Sequence, residues 1–279
     1  MLHSIAASEL VGTHYYSPLK NDFLTCIDQA AQLGFDGIEL HVRSPYAQDY
    51  QQLKAAADRR GLKITTIGTG MACHYDGHYL TNPDAIARRK AIQVLKDFVV
   101  AAKDCGHAGV MFGLMKGPLP EINQREMYKN ILYETLLPVV EVCEKEGCDI
   151  TLEAVNRFQA AYLWSTEETL DFVERFKSKR VTIHLDSFHM NIEDKSFRDS
   201  ILSCGNRLGH FHFSDSDRCY PGHGHIDFQE IMQALYDVGY IENGVGAYEY
   251  DSIPDSMTSA RLGLERIKQC EAAIEKGEK

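Results

Sequence analysis

The sequence predicts an α/β chain folded as a single (β/α)8 barrel over residues 1–279, and three observations carry that expectation. Short apolar runs recur along the chain, each followed by a longer stretch with helical period. The pairs number eight, enough to close a parallel sheet on itself. No linker, low-complexity tract or change in composition divides them.

Taken in order, the first strand is expected over 4–8 and its helix over 23–33, where Phe23, Leu24, Ile27, Ala30 and Ala31 form an apolar face before Gly34 ends it. The second unit joins 37–42 to a helix over 50–60, stopped at Gly61. The third joins 63–68 to 85–103, which ends near Gly106. In the fourth, strand 109–113 leads to helix 127–145, lined by Ile131, Leu132, Leu136, Val139 and Val142 and ended at Gly147. Pro138 falls inside that helix and is expected to kink it, because proline lacks a backbone donor. The last four units pair 149–154 with 166–176, 181–186 with 197–203, 208–213 with 228–238, and 246–250 with 257–274. Periodicity does not report closure, so a doubly wound open sheet is the competing architecture. The missing G-x-G-x-x-G after the first strand removes its dinucleotide-binding version.

A hydrophobic fraction of 44 % beside 25 % charged residues suits a globular chain with a large core. The net charge of -11 argues against nucleic acid as a partner, since phosphate backbones are bound chiefly by basic side chains. No apolar run reaches the length of a membrane span, and Met1-Leu2-His3-Ser4 opens without a basic, apolar leader; the expected location is cytoplasmic. The 8 cysteines show no C-x-x-C pair and are expected as reduced, scattered thiols.

Chemistry gathers in the second half. Glu153 closes Asp149-Ile150-Thr151-Leu152-Glu153, and Asp186 closes Val181-Thr182-Ile183-His184-Leu185-Asp186. His212 sits near the end of Leu208-Gly209-His210-Phe211-His212-Phe213, and Glu249 falls in Val245-Gly246-Ala247-Tyr248-Glu249-Tyr250. In a barrel these are consecutive strands, and active sites of this architecture lie at their carboxyl ends. Strand alternation puts Thr182, His184 and Asp186 on one face and the apolar Val181, Ile183 and Leu185 on the other. The same parity turns Thr151 with Glu153, and His210 with His212, inward. Three inward carboxylates repel one another unless a cation sits among them. Three carboxylates and one imidazole suit a single hard or borderline divalent ion, Mn²⁺ first, with Mg²⁺, Co²⁺ and Zn²⁺ also compatible.

The strings Leu152-Glu153-Ala154-Val155-Asn156-Arg157-Phe158, Leu185-Asp186-Ser187-Phe188-His189-Met190-Asn191-Ile192-Glu193 and Gly209-His210-Phe211-His212, with Arg218 and Pro221-Gly222-x-Gly224, resemble the ketose 3-epimerases (D-tagatose and D-psicose 3-epimerase type) of the xylose isomerase-like barrel superfamily. The match is close over roughly 150 to 250 and rhythmic elsewhere. The resemblance implies metal ligation by Glu153, Asp186, His212 and Glu249, and substrate oxygens held by His189 and Arg218. It also implies a small sugar or sugar phosphate as substrate and a homo-dimer or homo-tetramer. Three places depart from the family's pattern: Gln159, the segment Ser214-Asp215-Ser216-Asp217-Arg218, and Tyr250-Asp251 after Glu249.

Such a site is expected to move protons beside a ketose carbonyl, most simply in 3-epimerisation through an enediolate, with Glu153 and Glu249 exchanging acid and base roles. Hydroxypyruvate-type isomerisation or inosose-type dehydration would use the same groups. A metal hydrolase of the apurinic endonuclease kind, or a non-catalytic sugar-binding barrel, is the alternative of another class. Lesser expectations are His184 and His210 in the core below the ligands, Glu39 near the substrate or a ligand, and His74, His78 and Lys116 about the mouth. The 221–225 segment reads as a plain turn or a phosphate cradle, and Trp164 and Tyr220 as surfaces for a sugar face or a partner subunit.

Overall fold

Short polar side chains start the helices, and the apolar runs between them form strands. A computed structural model describes residues 1–9, 16–118 and 121–277. In chain order its strands and helices are β1 (Leu2–Ser8), β2 (Leu19–Lys20), α1 (Phe23–Leu33), β3 (Gly37–His41), α2 (Tyr50–Arg59), β4 (Lys63–Gly68), α3 (Gly70–Asp76), α4 (Ala85–Asp104), β5 (Gly109–Phe112), α5 (Arg125–Glu146), β6 (Ile150–Glu153), α6 (Thr166–Val173), β7 (Val181–Asp186), α7 (Ser187–Glu193), α8 (Phe197–Cys204), β8 (Leu208–Phe213), α9 (Phe228–Asp237), β9 (Val245–Tyr248) and α10 (Ser256–Glu275). Asp22, Asp49, Asp84, Ser165, Ser196, Asp227 and Asp255 each accept a backbone N–H in the first turn of the helix that follows.

The strands are parallel and run β1-β3-β4-β5-β6-β7-β8-β9, with β9 returning to β1, so the sheet closes. This excludes the open-sheet alternative. Closure pairs Leu2 to Ile5 with Val245 to Tyr248, and β2 takes up Ala7 and Ser8 further along β1. His3 ties the seam on the outside: its ring bonds Tyr248 Oη at 2.9 Å and Glu271 Oε2 at 2.9 Å. The helix α5 runs from Arg125 to Glu146 with Pro138 inside it.

Side chains alternate as the pleat requires. Ile150, Leu152, Ile183, Leu185, Phe211 and Phe213 are fully buried members of the apolar core that joins strands to helices. Their neighbours Glu153, His184, Asp186, His210 and His212 are buried as well, but they face one another and other polar groups, Glu39 among them. The interior thus has an apolar sleeve outside the strands and a polar plug within them. Among the described residues no helix is long and apolar enough to cross a membrane.

The two layers should separate in mutants. Phe211→Ala removes a fully buried ring from the sleeve and is expected to cost about 3–5 kcal/mol in urea denaturation. The inner layer should keep its native arrangement in the folded fraction of that variant, which the histidine ¹⁵N spectrum would check.

Candidate metal centre

Glu153 is the last residue of β6 and Asp186 the last of β7, where it also caps α7 by accepting the Phe188 N–H at 2.8 Å. His212 is next to last in β8, and Glu249 follows β9 by one residue. Glu153, Asp186 and His212 offer donor atoms within 4.8 Å of one another. Glu249 joins them through its Oε2, 3.4 Å from His212 Nδ1, which is itself 3.8 Å from Asp186 Oδ2. Gly113, just past β5, leaves room for this group: a Cβ there would overlap the Glu153 carboxylate and lie 2.9 Å from Val155 Cγ2.

Below this group lies a centre that the sequence reading underrated. Glu39 is fully buried and gathers three imidazoles: His41 Nε2 at 2.7 Å, His210 Nε2 at 2.7 Å and His212 Nε2 at 3.0 Å. Its strand, Gly37-Ile38-Glu39-Leu40-His41, alternates as clearly as β7 does, so parity alone would have turned Glu39 and His41 inward. His184 and His210 do pack in the core beneath the carboxylates, as expected, in edge-to-face contact with each other and with His212.

The Glu39 contact gives His212 a direction. With Nε2 turned to a buried carboxylate, Nδ1 faces the upper carboxylates and has no hydrogen-bond partner although it is buried. A carboxylate behind one ring nitrogen, with the other turned to the carboxylates above, is the arrangement that orients histidine toward a metal once that second nitrogen gives up its proton. Together with three carboxylates, this donor set fits one divalent ion.

Positive charge already leans on the cluster. Arg218 is 5 % exposed and its guanidinium bonds Asp186 Oδ2 with one nitrogen and Glu249 Oε2 with another. It also lies 4.7 Å from the centre of the Tyr16 ring and 5.0 Å from that of Phe188. Arg218 adopts the left-handed backbone conformation, φ +62°, that non-glycine residues seldom take. Burial pushes the Asp186 carboxyl up, but Arg218, His212 and His189 together outweigh it and hold the group well below the usual carboxylate range. Glu249 is likewise held down against burial by Arg218 and His212. For His212, burial works against a charged ring, yet Glu39 and Glu249 keep its proton bound well above the usual range.

His189, from α7, reaches the same mouth: its Nε2 is 3.4 Å from Glu153 Oε1 and its Nδ1 is 2.7 Å from Asn156 Nδ2. All six side chains singled out from the sequence therefore converge on one end of the barrel. Above them opens a cavity of about 620 Å³, lined by Glu153, Glu249, His189 and Arg218 and walled by Tyr16, His74, Tyr75, Met111, Leu114, Val155 and Gln159.

A family described as "Xylose isomerase-like TIM barrel" matches residues 27–270. The chain belongs to the xylose isomerase-like TIM barrel family. It is 31 % identical over 225 residues to the D-psicose 3-epimerase of Ruminiclostridium cellulolyticum, covering 78 % of this chain and 75 % of that protein. It is 29 % identical to the L-ribulose 3-epimerase of Mesorhizobium japonicum, over 84 % and 79 % of the two chains. Among solved structures, D-psicose 3-epimerase with D-tagatose from Clostridium cellulolyticum H10 superposes with a TM-score of 0.82 at 26 % identity, covering 97 % of this chain and 99 % of that one.

Several lesser expectations for this family member resolve differently. His74 lines the cavity, whereas His78 does not. The 221–225 segment is a turn wrapped on Asp215, whose carboxylate accepts the N–H groups of Ser216, Gly222 and Ile226 at 2.7, 2.8 and 3.1 Å. Within the segment the N–H groups of Gly222, His223 and His225 are engaged, by Asp215, Tyr220 O and Ser216 Oγ, which favours the plain turn over the phosphate cradle. Trp164 packs under Arg125, 4.1 Å from its guanidinium, and donates to Ala160 O at 2.7 Å.

Lys116 is not at the mouth but buried behind Glu153, with Nζ donating to Glu153 O at 3.2 Å and Leu163 O at 3.0 Å. It holds the end of β6, and no pattern of local sequence would have said so. Burial pulls its pKa from 10.5 down to about 8. Between those values the unfolded chain binds the proton and the folded one does not, so this group's contribution to stability rises with pH. In urea denaturation the wild type should therefore gain on Lys116→Met between pH 8 and 10.5. A difference constant over that window would contradict it.

Proposed function

We propose that this chain is a divalent-metal-dependent ketose 3-epimerase acting on a free sugar. Its relatives' names supply the reaction, and one observation carries the assignment of roles. Of the four proposed ligands, Glu153 and Glu249 line the cavity, while Asp186 and His212 are fully buried beneath it. The buried pair anchors and the lining pair can touch a sugar.

Held by Glu153, Asp186, His212 and Glu249, a divalent ion, Mn²⁺ by preference, would supply positive charge to the C2 and C3 oxygens as the C3 proton leaves. The side chains do the rest. Glu153 and Glu249 come from β6 and from the end of β9, on either side of β7 and β8, so they approach a bound sugar from two sides. One carboxylate removes the C3 proton and the other returns a proton to the opposite face, which inverts the centre. Ligation would lower the basicity of each, so the proton work would fall to a carboxylate oxygen not engaged by the ion. His189 Nε2 and the Arg218 guanidinium hold the carbonyl-side oxygens, where negative charge develops.

Charge favours an unphosphorylated substrate. Among the described residues Arg218 is the one lysine or arginine lining the cavity, and it is shared by two carboxylates. The same shortage of basic groups weighs against the phosphodiester-cleaving alternative.

Incubation with free ketoses in D2O and Mn²⁺ should place deuterium at C3 of an epimerised product. Glu153→Gln and Glu249→Gln should each lose turnover by about 100-fold or more, the usual contribution of a positioned acid or base, while circular dichroism stays unchanged. Near wild-type epimerisation by both variants would contradict the two-carboxylate assignment.

A further inference from the structure

We propose that Asn156 is a positioning residue that fixes the tautomer of His189, keeping the ring proton on Nε2, where the cavity lies. The inference rests on the reading of His189 as a donor to the substrate, but its first observable does not depend on that reading.

Asn156 is 1 % exposed and His189 3 %, so the contact between them is closed to bulk water. The amide of Asn156 has only one way to sit. Its Oδ1 accepts the backbone N–H of Phe158 at 2.9 Å, which requires an acceptor on that side. Its Nδ2 then faces His189 Nδ1 at 2.7 Å. An amide nitrogen can only donate, so Nδ1 must accept, and the neutral ring carries its hydrogen on Nε2. A proton on Nδ1 would set donor against donor in a buried contact.

A second link keeps the pair in register. Arg157 grips Glu193 through its backbone N–H at 2.8 Å and its guanidinium at 2.7 and 2.9 Å. Glu193 lies four residues after His189 on α7, one turn along the same face. Residues 156 and 157 thus dock side by side along that helix, one reading the ring and the other clamping the frame.

The tautomer matters because an Nε2–H stabilises an oxygen that gains negative charge, whereas a lone pair at that position repels it. Asn156 touches no reacting atom; it acts through His189.

The test uses the full chain with ¹⁵N-labelled histidine. In the wild type, His189 should show an unprotonated Nδ1 and a protonated Nε2. Asn156→Asp keeps the acceptor for Phe158 but places a second acceptor opposite Nδ1, so the proton should move to Nδ1. With that shift kcat should fall about 100-fold, the usual cost of losing one donor to a developing oxyanion, and by more than KM changes. Arg157→Ala, which loosens the clamp and leaves the amide, should keep the wild-type tautomer. A wild-type ring protonated on Nδ1 would overturn the proposal, as would an Asn156→Asp protein with a shifted tautomer and undiminished kcat. Absence of turnover in every protein, with the expected ¹⁵N pattern, would instead count against the epimerase reading alone.

Discussion

Three carboxylates held at one end of a barrel, with little water to screen them, must be offset by positive charge. The requirement shapes the whole interior. Asp186 is fully buried, and Glu153 and Glu249 nearly so. In a medium that screens poorly, like charges at such range oppose folding by several kcal/mol unless compensated. The compensation comes in two storeys. Arg218 binds Asp186 and Glu249 from above, and a charged His212 is held from below by Glu39. A divalent ion would meet the same need more compactly, with His212 giving up its Nδ1 proton to become a ligand.

Delivery of Arg218 shows how a loop is made rigid enough for this task. Asp215 is fully buried and collects three backbone N–H groups from the turn that follows it. The Arg218 N–H returns to Asp215 O at 3.0 Å, and its carbonyl accepts the Asp251 N–H at 2.8 Å. Fixed at both ends, the residue keeps an uncommon backbone conformation that aims its side chain at the carboxylates. Strand ends supply the other groups, and the outward apolar sleeve stabilises them without entering the chemistry.

Much of this was legible because a strand repeats every two residues. The barrel, its strand order and the convergence of Glu153, Asp186, His212 and Glu249 follow from short alternating runs ending in metal-type side chains. His189 and Arg218 came from resemblance alone, since a short helix and an irregular loop leave no periodic trace of where a side chain points. Glu39 and His41 obeyed the same alternation and could have been placed, but their role depends on partners on β8, more than 160 residues away. Asn156, Lys116 and Gly113 were illegible for the same physical reason: each acts through contacts with residues far away in the sequence, and nothing in the neighbouring residues encodes them. The phosphate-cradle alternative for 221–225 shows the converse, where a glycine-rich turn suggests open N–H groups but that of Gly222 is already taken by the Asp215 carboxylate.

The central claim is that one divalent ion belongs among these four side chains. Anomalous diffraction at the manganese edge, from crystals grown with Mn²⁺, tests it most directly. The account predicts one peak within bonding distance of Glu153, Asp186, His212 Nδ1 and Glu249, with Arg218 drawn off the carboxylates it now bridges. A peak on another group, such as Asp217, Cys219 and His223 in the loop after β8, with none among the four, would contradict it.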